Sequence, residues 1–380
     1  MSFSVEGSQQ FSLLAQAFLH GQLNFRHWIG GKGQDPVLYH GKIYWDEGPF
    51  PAILLTPLMA IFEFFRHFFW QGYLMWLLIV GVMFFVFEIA RFFKFSKENS
   101  LILALGFCLG SVFIGVAAVA SSWFFAQVVT TFLLFWGLYE FFAYKRRWWL
   151  LGIICAFILM TRGTAIVLLL FFLLELWRGN VVPEGKRFKK LIELGLPIVT
   201  AVLLLGLYNF LRFHNPLNGG YMYQLQYASS DESRAYGLFS LVHIPAGLYS
   251  ALLRGPLAVT RTTTSWTLKF PFIENNIYGM SIFVTSPYLL SLFFHKWSSF
   301  SRQARHLLLT VLVGAVWVFS YYGLGLLQFG YRYSLDFLPE LFVLFIIIYR
   351  IEHRQLSTGM KTVLLGSGVF NFYLLMFFLL

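Results

Sequence analysis

The chain has 380 residues, 58% hydrophobic and 20% aromatic, with only 12% charged and a mean hydropathy of +0.69. A soluble core cannot enclose that much apolar surface, so the composition excludes an ordinary water-soluble enzyme and predicts an integral membrane protein. The formal net charge of +11 is carried by short loops between apolar runs, so it reports topology and predicts no nucleic-acid partner.

Residues 1–50 are mixed in character and mostly non-spanning. Residues 11–19 (FSLLAQAFL) predict a short amphipathic helix closed by His20-Gly21. The stretch 35–57 (DPVLYHGKIYWDEGPFPAILLTP) combines charge, aromatics and proline. Asp35-Pro36 and His40-Gly41 read as turns. Asp46 and Glu47 stand side by side, and Gly48, Pro49 and Pro51 stop any helix from running through them. A polar, turn-rich loop thus brings two carboxylates to the start of an apolar segment. Residues 51–70 are apolar but carry Pro57, Glu63, Arg66 and His67, which predicts a helix lying in the membrane interface.

Apolar runs of membrane-crossing character then recur at 72–93, 101–120, 123–143, 148–160, 164–177, 191–213, 277–294, 307–327, 335–349 and 362–380, giving about ten spans. The expected fold is therefore an all-α integral membrane protein with about ten transmembrane helices plus interfacial helices in the first extracytoplasmic loop. Its divisions are that loop (1–71), a first set of membrane helices (72–213), an extracytoplasmic loop (214–276) and C-terminal membrane helices (277–380). Cys108 and Cys155 both lie inside apolar runs and read as packed thiols, not a disulfide.

Most Lys and Arg residues fall in the loops 91–100, 144–149, 178–190, 295–306 and 350–361. By the positive-inside rule these face the cytoplasm, so the chain belongs in the cytoplasmic membrane. Residues 1–50, the tip at Arg162, the loop 214–276 and the turn 331–336 then face outward. An outward start with no preceding span is explained most simply by a first helix upstream.

Outward acids and bases on one face suit phosphate binding and hydroxyl activation. A carboxylate poised near neutral pH acts as a general base on an alcohol, and a guanidinium grips phosphate through paired charge-assisted hydrogen bonds. Asp46 and Glu47 are the acids with the most constrained context, against simple loop solvation as the alternative. Glu6, alone in a polar N-terminal stretch, has little local support. The basic candidates are Lys42, Arg162, Arg212 and Arg332. Arg162 lies between two short apolar runs, where snorkelling to headgroups is the alternative role. Arg332 and Asp336 are four apart, and pairing with each other is theirs. No histidines show metal-ligand spacing, and Gly30-Gly31-Lys32-Gly33 lacks the strand–helix context of a phosphate loop.

Six stretches, in this order and spacing, carry a resemblance: SVEGSQQFSLLAQAFLHGQLNF, YHGKIYWDEGPFPAILLTPL, ILMTRGTAIVLLL, YNFLRFHNPLNGGY, TSPYLLSLF and FGYRYSLDFLP. Together they resemble the bacterial multi-pass glycosyltransferases of the protein O-mannosyltransferase and aminoarabinose-transferase type, which share the C-type glycosyltransferase fold. The resemblance implies a polyprenyl-phosphate-linked sugar donor, an acidic residue that orients or deprotonates the acceptor, and basic residues that hold the lipid phosphate. Glu6 matches the family's first-loop acid, and Arg162 and Arg332 match the phosphate-holding role. The turn bearing Tyr331, Arg332, Tyr333 and Asp336 falls in the last of the six stretches. The sequence departs from the family in lacking the first span and in having Glu6 alone where many relatives have paired acids.

The function expected is inverting transfer of a hexosyl or pentosyl group from a polyprenyl-phosphate-linked donor to an acceptor hydroxyl at the outer face of the cytoplasmic membrane. The catalytic candidates are Glu6, Asp46 and Glu47. The substrate-binding candidates are Lys42, Arg162, Arg212, Tyr331, Arg332, Tyr333 and Asp336. The acceptor is a lipid, glycan or protein. No cofactor is certain, and a divalent cation is left open. The alternative function is a transporter or flippase for a lipid-linked or sugar substrate, which predicts internal repeats and charged residues at mid-membrane; no convincing repeat is found, and the polar residues gather at span ends.

Overall fold

A computed structural model describes residues 8–379 except 29, 32–33, 180, 226–227, 263–266 and 296–299. In chain order its elements are α1 (Gln10–Leu19), β1 (Val37–Tyr39), β2 (Lys42–Tyr44), α2 (Phe50–Phe64), α3 (Gln71–Phe92), α4 (Lys97–Cys108), α5 (Phe113–Ala118), α6 (Ser122–Phe142), α7 (Trp148–Leu159) and α8 (Leu168–Arg178). There follow α9 (Glu184–Phe213), α10 (Ala228–Arg234), α11 (Ile244–Leu248), β3 (Leu257–Thr260), β4 (Leu268–Glu274), α12 (Ile282–Thr285), α13 (Arg302–Phe319), α14 (Leu338–Glu352) and α15 (Thr358–Leu379). The protein is mostly helical, as expected, with two small antiparallel hairpins, β1–β2 and β3–β4, in the regions read as outward loops. Their backbone polar groups pair locally, which lets extended chain persist without a larger sheet.

Among the described residues four helices are long and apolar enough to cross a membrane by length and composition: α3, α6, α9 and α15. The other expected spans are helical but shorter or interrupted. The run at 101–120 is split between α4 and α5, where the Ser111 hydroxyl donates to the Phe107 carbonyl at 2.6 Å and accepts from the Phe113 amide at 3.1 Å. That side-chain bonding competes with the helical ladder and ends it locally. The runs on either side of Arg162 form α7, the 3-10 turn Gly163–Val167 and α8. The run at 277–294 holds only α12 and the 3-10 stretch Pro287–Phe294.

The chain folds as two compact units. One comprises residues 1–80 and 119–235, the other 81–118 and 236–380. In the first unit α1 packs on α2, and α7 packs on both α6 and α9. Most of α6 is enclosed, 83% of its most apolar window being buried, against 11% for α9. Helix α6 is therefore core, while α9 presents its apolar side chains outward as a lipid-facing helix does. Gly152 lets α7 approach α9 closely: a Cβ there would lie 2.4 Å from the Leu194 carbonyl oxygen. A buried polar knot ties the start of the unit together. The Gln71 side-chain amide donates to the Ser8 and Ala120 carbonyls at 3.0 and 2.8 Å, and Gln9 donates to Ala120 at 3.0 Å. Cys155 is a buried thiol outside any disulfide in this unit.

In the second unit α13 packs on α14, α15 packs on α4, and α11 rests on α13. The apolar core beside the turn at 331–337 contains Val311, Val318, Phe319, Tyr331 and Phe337. The Ser301 hydroxyl caps α13 and Ser96 caps α4, each accepting from a backbone amide at 3.2 Å. Cys108 is also a buried thiol outside any disulfide.

Candidate functional site

The first unit builds its site on the β1–β2 hairpin. His40 and Gly41 both have positive φ, 47° and 75°, the backbone a tight two-residue hairpin turn requires. Val37 pairs with Tyr44 and Tyr39 with Lys42. Val37 and Tyr44 form a small core with Phe213 at the end of α9. The Tyr39 and Tyr44 rings meet the Phe213 ring edge-on, at 5.5 and 5.3 Å. Helix α9 then stops at His214, whose φ is 55°. The chain returns along the hairpin: Gln224 bridges Val37, and the Leu225 amide donates to the Pro36 carbonyl at 2.8 Å.

This returning segment delivers a partner to Asp46. The Gln224 side-chain amide donates to Asp46 Oδ2 at 2.9 Å, and Asp46 is 8% exposed. Its other oxygen, Oδ1, is buried and has no hydrogen-bond partner among the described residues. Burial first, then the negative charges of Glu47 and Asp35, hold the Asp46 carboxyl well above the usual carboxylate range. Arg212 acts in the opposite sense, but its guanidinium is committed elsewhere. Nη1 donates to the Trp45 carbonyl at 2.5 Å and Nη2 to the Asn209 side chain at 2.8 Å. The same guanidinium lies over the Tyr208 and Phe213 rings, at 3.9 and 4.5 Å. Arg212 thus clamps the backbone immediately before Asp46.

Glycine explains how the loop closes after the acids. A Cβ on Gly48 would meet the Met160 carbonyl oxygen at 2.0 Å, and the Phe50 amide donates to that same oxygen at 3.1 Å. Phe50 also stacks on Phe157, ring centroids 4.2 Å apart. The acidic loop is therefore seated on the end of α7, next to Thr161 and Arg162. Glu47 and Arg162 are half-buried, and Lys42 is exposed at the start of β2. Asp35, at a φ of 53°, accepts from the Trp123 indole at 3.1 Å, and Trp123 meets Trp45 at 5.8 Å.

The second unit carries the other candidates. Tyr331, Arg332 and Asp336 are buried, and Tyr333 is half-buried. Arg332 lies over the Tyr333 ring at 4.8 Å and donates to its hydroxyl at 3.4 Å. The Tyr331 amide donates to the Met280 carbonyl at 2.8 Å. The Gln328 side chain braces the preceding turn through the Tyr278 and Leu324 carbonyls, at 2.9 and 2.7 Å. Burial holds the Tyr331 phenol above its ordinary range, with Arg254, which bonds the Tyr278 carbonyl at 3.0 Å, acting in the opposite sense.

Of the residues singled out by sequence, Asp46, Glu47 and Arg212 come together around one loop. Tyr331, Arg332, Tyr333 and Asp336 share one turn, and Lys42 stands apart from the acids on the hairpin surface. Glu6 lies outside the described residues. Sequence reasoning placed Asp35 in the same stretch as Asp46 but missed Gln224, Asn209 and Trp123 as members of its neighbourhood. Gln224 is 178 positions from Asp46, and no local pattern links the two. The turn at Asp35-Pro36 was legible, but its contact with Trp123 was not. Among the described residues no three His, Cys, Asp or Glu side chains are arranged to hold a metal ion.

No family model and no curated protein matches the chain. Among solved structures the chain is similar to the Archaeoglobus fulgidus oligosaccharyltransferase in its apo form, at a TM-score of 0.48 and 12% identity. The alignment covers 97% of this chain and 52% of that one, so the chain spans about half the length of the protein it matches.

Proposed function

We propose that the chain is a membrane glycosyltransferase that moves a sugar from a polyprenyl-phosphate-linked donor to an acceptor hydroxyl, with Asp46 as general base. The observation that carries this reading is the Asp46 carboxylate, buried in a loop outside the membrane helices. One of its oxygens is held by Gln224, and the other has no protein partner among the described residues. A buried acceptor without a donor calls for an explanation, and a substrate hydroxyl supplies one. The raised carboxyl suits the task, because a general base works best when its pKa lies near the operating pH.

The chemistry balances without a nucleotide. The acceptor O–H proton goes to Asp46, and the acceptor oxygen bonds to the anomeric carbon from the face opposite the leaving group. The bond from that carbon to the phosphate oxygen breaks, and the lipid phosphate leaves with the electron pair. Alignment and electrostatic stabilisation supply the rate. Arg162 and Arg332 are separate candidates for holding the departing phosphate, since a guanidinium can grip it through two hydrogen bonds. The six sequence stretches quoted above support the donor class and the inverting course.

The test is transfer from a radiolabelled polyprenyl-phosphate sugar by the full chain in lipid nanodiscs. Asp46→Asn keeps the shape of the side chain and removes the base. Loss of turnover by roughly 10²- to 10⁴-fold, with donor binding retained, is expected. If Asp46→Asn turns over normally, Asp46 is a protonated structural group and the base lies elsewhere.

A further inference from the structure

The β3–β4 hairpin of the second unit presents an apolar surface to the outside. On β4, Phe270 and Phe272 are 65% and 51% exposed, alternating with the partly covered Pro271 and Ile273. Leu257 on β3 and Leu268 on β4 are exposed as well. A two-stranded hairpin has little reason to display such side chains to water, since burying one of them is worth about 1.5–3 kcal/mol.

The hairpin is fastened to one end of a membrane helix. The Tyr373 hydroxyl of α15 donates to the Pro271 carbonyl. The Phe270 ring meets Phe377 edge-on, with centroids 5.1 Å apart. Helix α15 is one of the four helices able to cross a membrane, and Tyr373 and Phe377 lie in its last two turns. Val369, Phe372 and Met376 on the same helix are exposed apolar side chains, which in a spanning helix face lipid. The 22 residues of α15 extend about 33 Å at 1.5 Å per residue, close to the hydrocarbon thickness, so its last turns lie near the interface, where tyrosine is favoured because its ring is apolar and its hydroxyl wet.

We infer that the β3–β4 hairpin is a membrane-dipping element whose Leu268, Phe270 and Phe272 side chains enter the bilayer beside the end of α15. Its occupant is lipid, because the patch continues an apolar surface that a spanning helix already turns to the hydrocarbon. Exposed Lys269 and Arg261 on the same hairpin suit this placement, since long basic side chains reach back to the headgroups from apolar surroundings.

The test places a nitrobenzoxadiazole label at Phe272→Cys in the full chain in phosphatidylcholine–phosphatidylglycerol nanodiscs. The two native thiols are buried, and Tyr236→Cys serves as the water-exposed reference in the same unit. Expected are a blue-shifted emission at 272 relative to 236, loss of quenching by aqueous iodide, and strong quenching by a nitroxide placed high on the lipid acyl chain. Iodide quenching equal to that at 236 would overturn the inference. Protection from both iodide and the lipid nitroxide would do the same, because protein would then cover the hairpin. The unmodified chain gives an independent reading by hydroxyl-radical footprinting in the same discs. Phe270 and Phe272 should be oxidised more slowly than Tyr236, and equal rates would exclude insertion.

Discussion

At Asp46 a single carboxyl meets two opposing demands. Its folded-state value is raised above the usual carboxylate range by burial, with Glu47 and Asp35 adding to the effect. Between the unfolded value, about 3.9, and the raised folded value, the folded chain binds a proton that the unfolded chain has released. Stability therefore falls as pH rises through that window, while the base form that the proposed transfer requires appears. Asp46→Asn should flatten the pH dependence of thermal stability in the window, which a melting series in detergent would read. Asp35→Asn should move the acid limb of the kcat/KM profile to lower pH, because it removes one of the charges that disfavour ionised Asp46. It leaves the Trp123 indole an amide oxygen to bond. An unmoved limb would detach Asp46 from catalysis. Gln224→Leu removes the donor to Oδ2 and should raise the limb further, since the ionised form then loses a hydrogen bond. The place of Asp46 in a loop just before α2 was legible in its glycine–proline context, whereas its donor, Gln224, reaches it only through the fold of the 214–225 segment.

The elements show why the acidic loop is held where it is. The loop enters from a hairpin pinned by Phe213 at the end of α9 and leaves through Gly48 onto the end of α7. Gly48 tolerates no side chain: a Cβ would sit 2.0 Å from a backbone oxygen that also receives the Phe50 amide. Gly48→Ala must shift either α2 or α7, and overpacking of this kind costs about 1–3 kcal/mol. A lowered melting temperature together with reduced turnover is expected. Unchanged melting would show that the loop is not seated on α7. Sequence periodicity was informative here because α6 and α9 are long apolar helices and α7 a shorter one, and the proline cluster marked the start of α2. Strands β1 and β2 were not legible as strands, since three residues each leave no alternation to read. The split between α4 and α5 was missed for a similar reason: Ser111 ends the helix through its own hydroxyl in a run whose hydropathy never drops.

For the molecule in its membrane, α9 decides the orientation of the first unit. Its 30 residues extend about 45 Å at 1.5 Å per residue, more than the roughly 30 Å of bilayer hydrocarbon. Its first turns carry Lys186, Arg187, Lys189 and Lys190, while its far end leads through His214 to the segment that meets Asp46. On the proposed function, a helix so basic at one end and so apolar along its exposed middle should cross with the basic end in the cytoplasm. The acidic loop would then open on the opposite side, where the proposed lipid-linked donor and an extracytoplasmic acceptor would meet. Single cysteines at His40, Gly185 and Leu225 test this. Cys108 and Cys155 are buried and give little background. A membrane-impermeant maleimide added to intact cells should label positions 40 and 225 and leave 185 unreacted until the membrane is opened. Labelling of 185 alone would reverse the orientation and place Asp46 in the cytoplasm. Labelling of all three would mean that α9 does not cross, and its bare apolar flank would then have to be covered by protein instead of lipid.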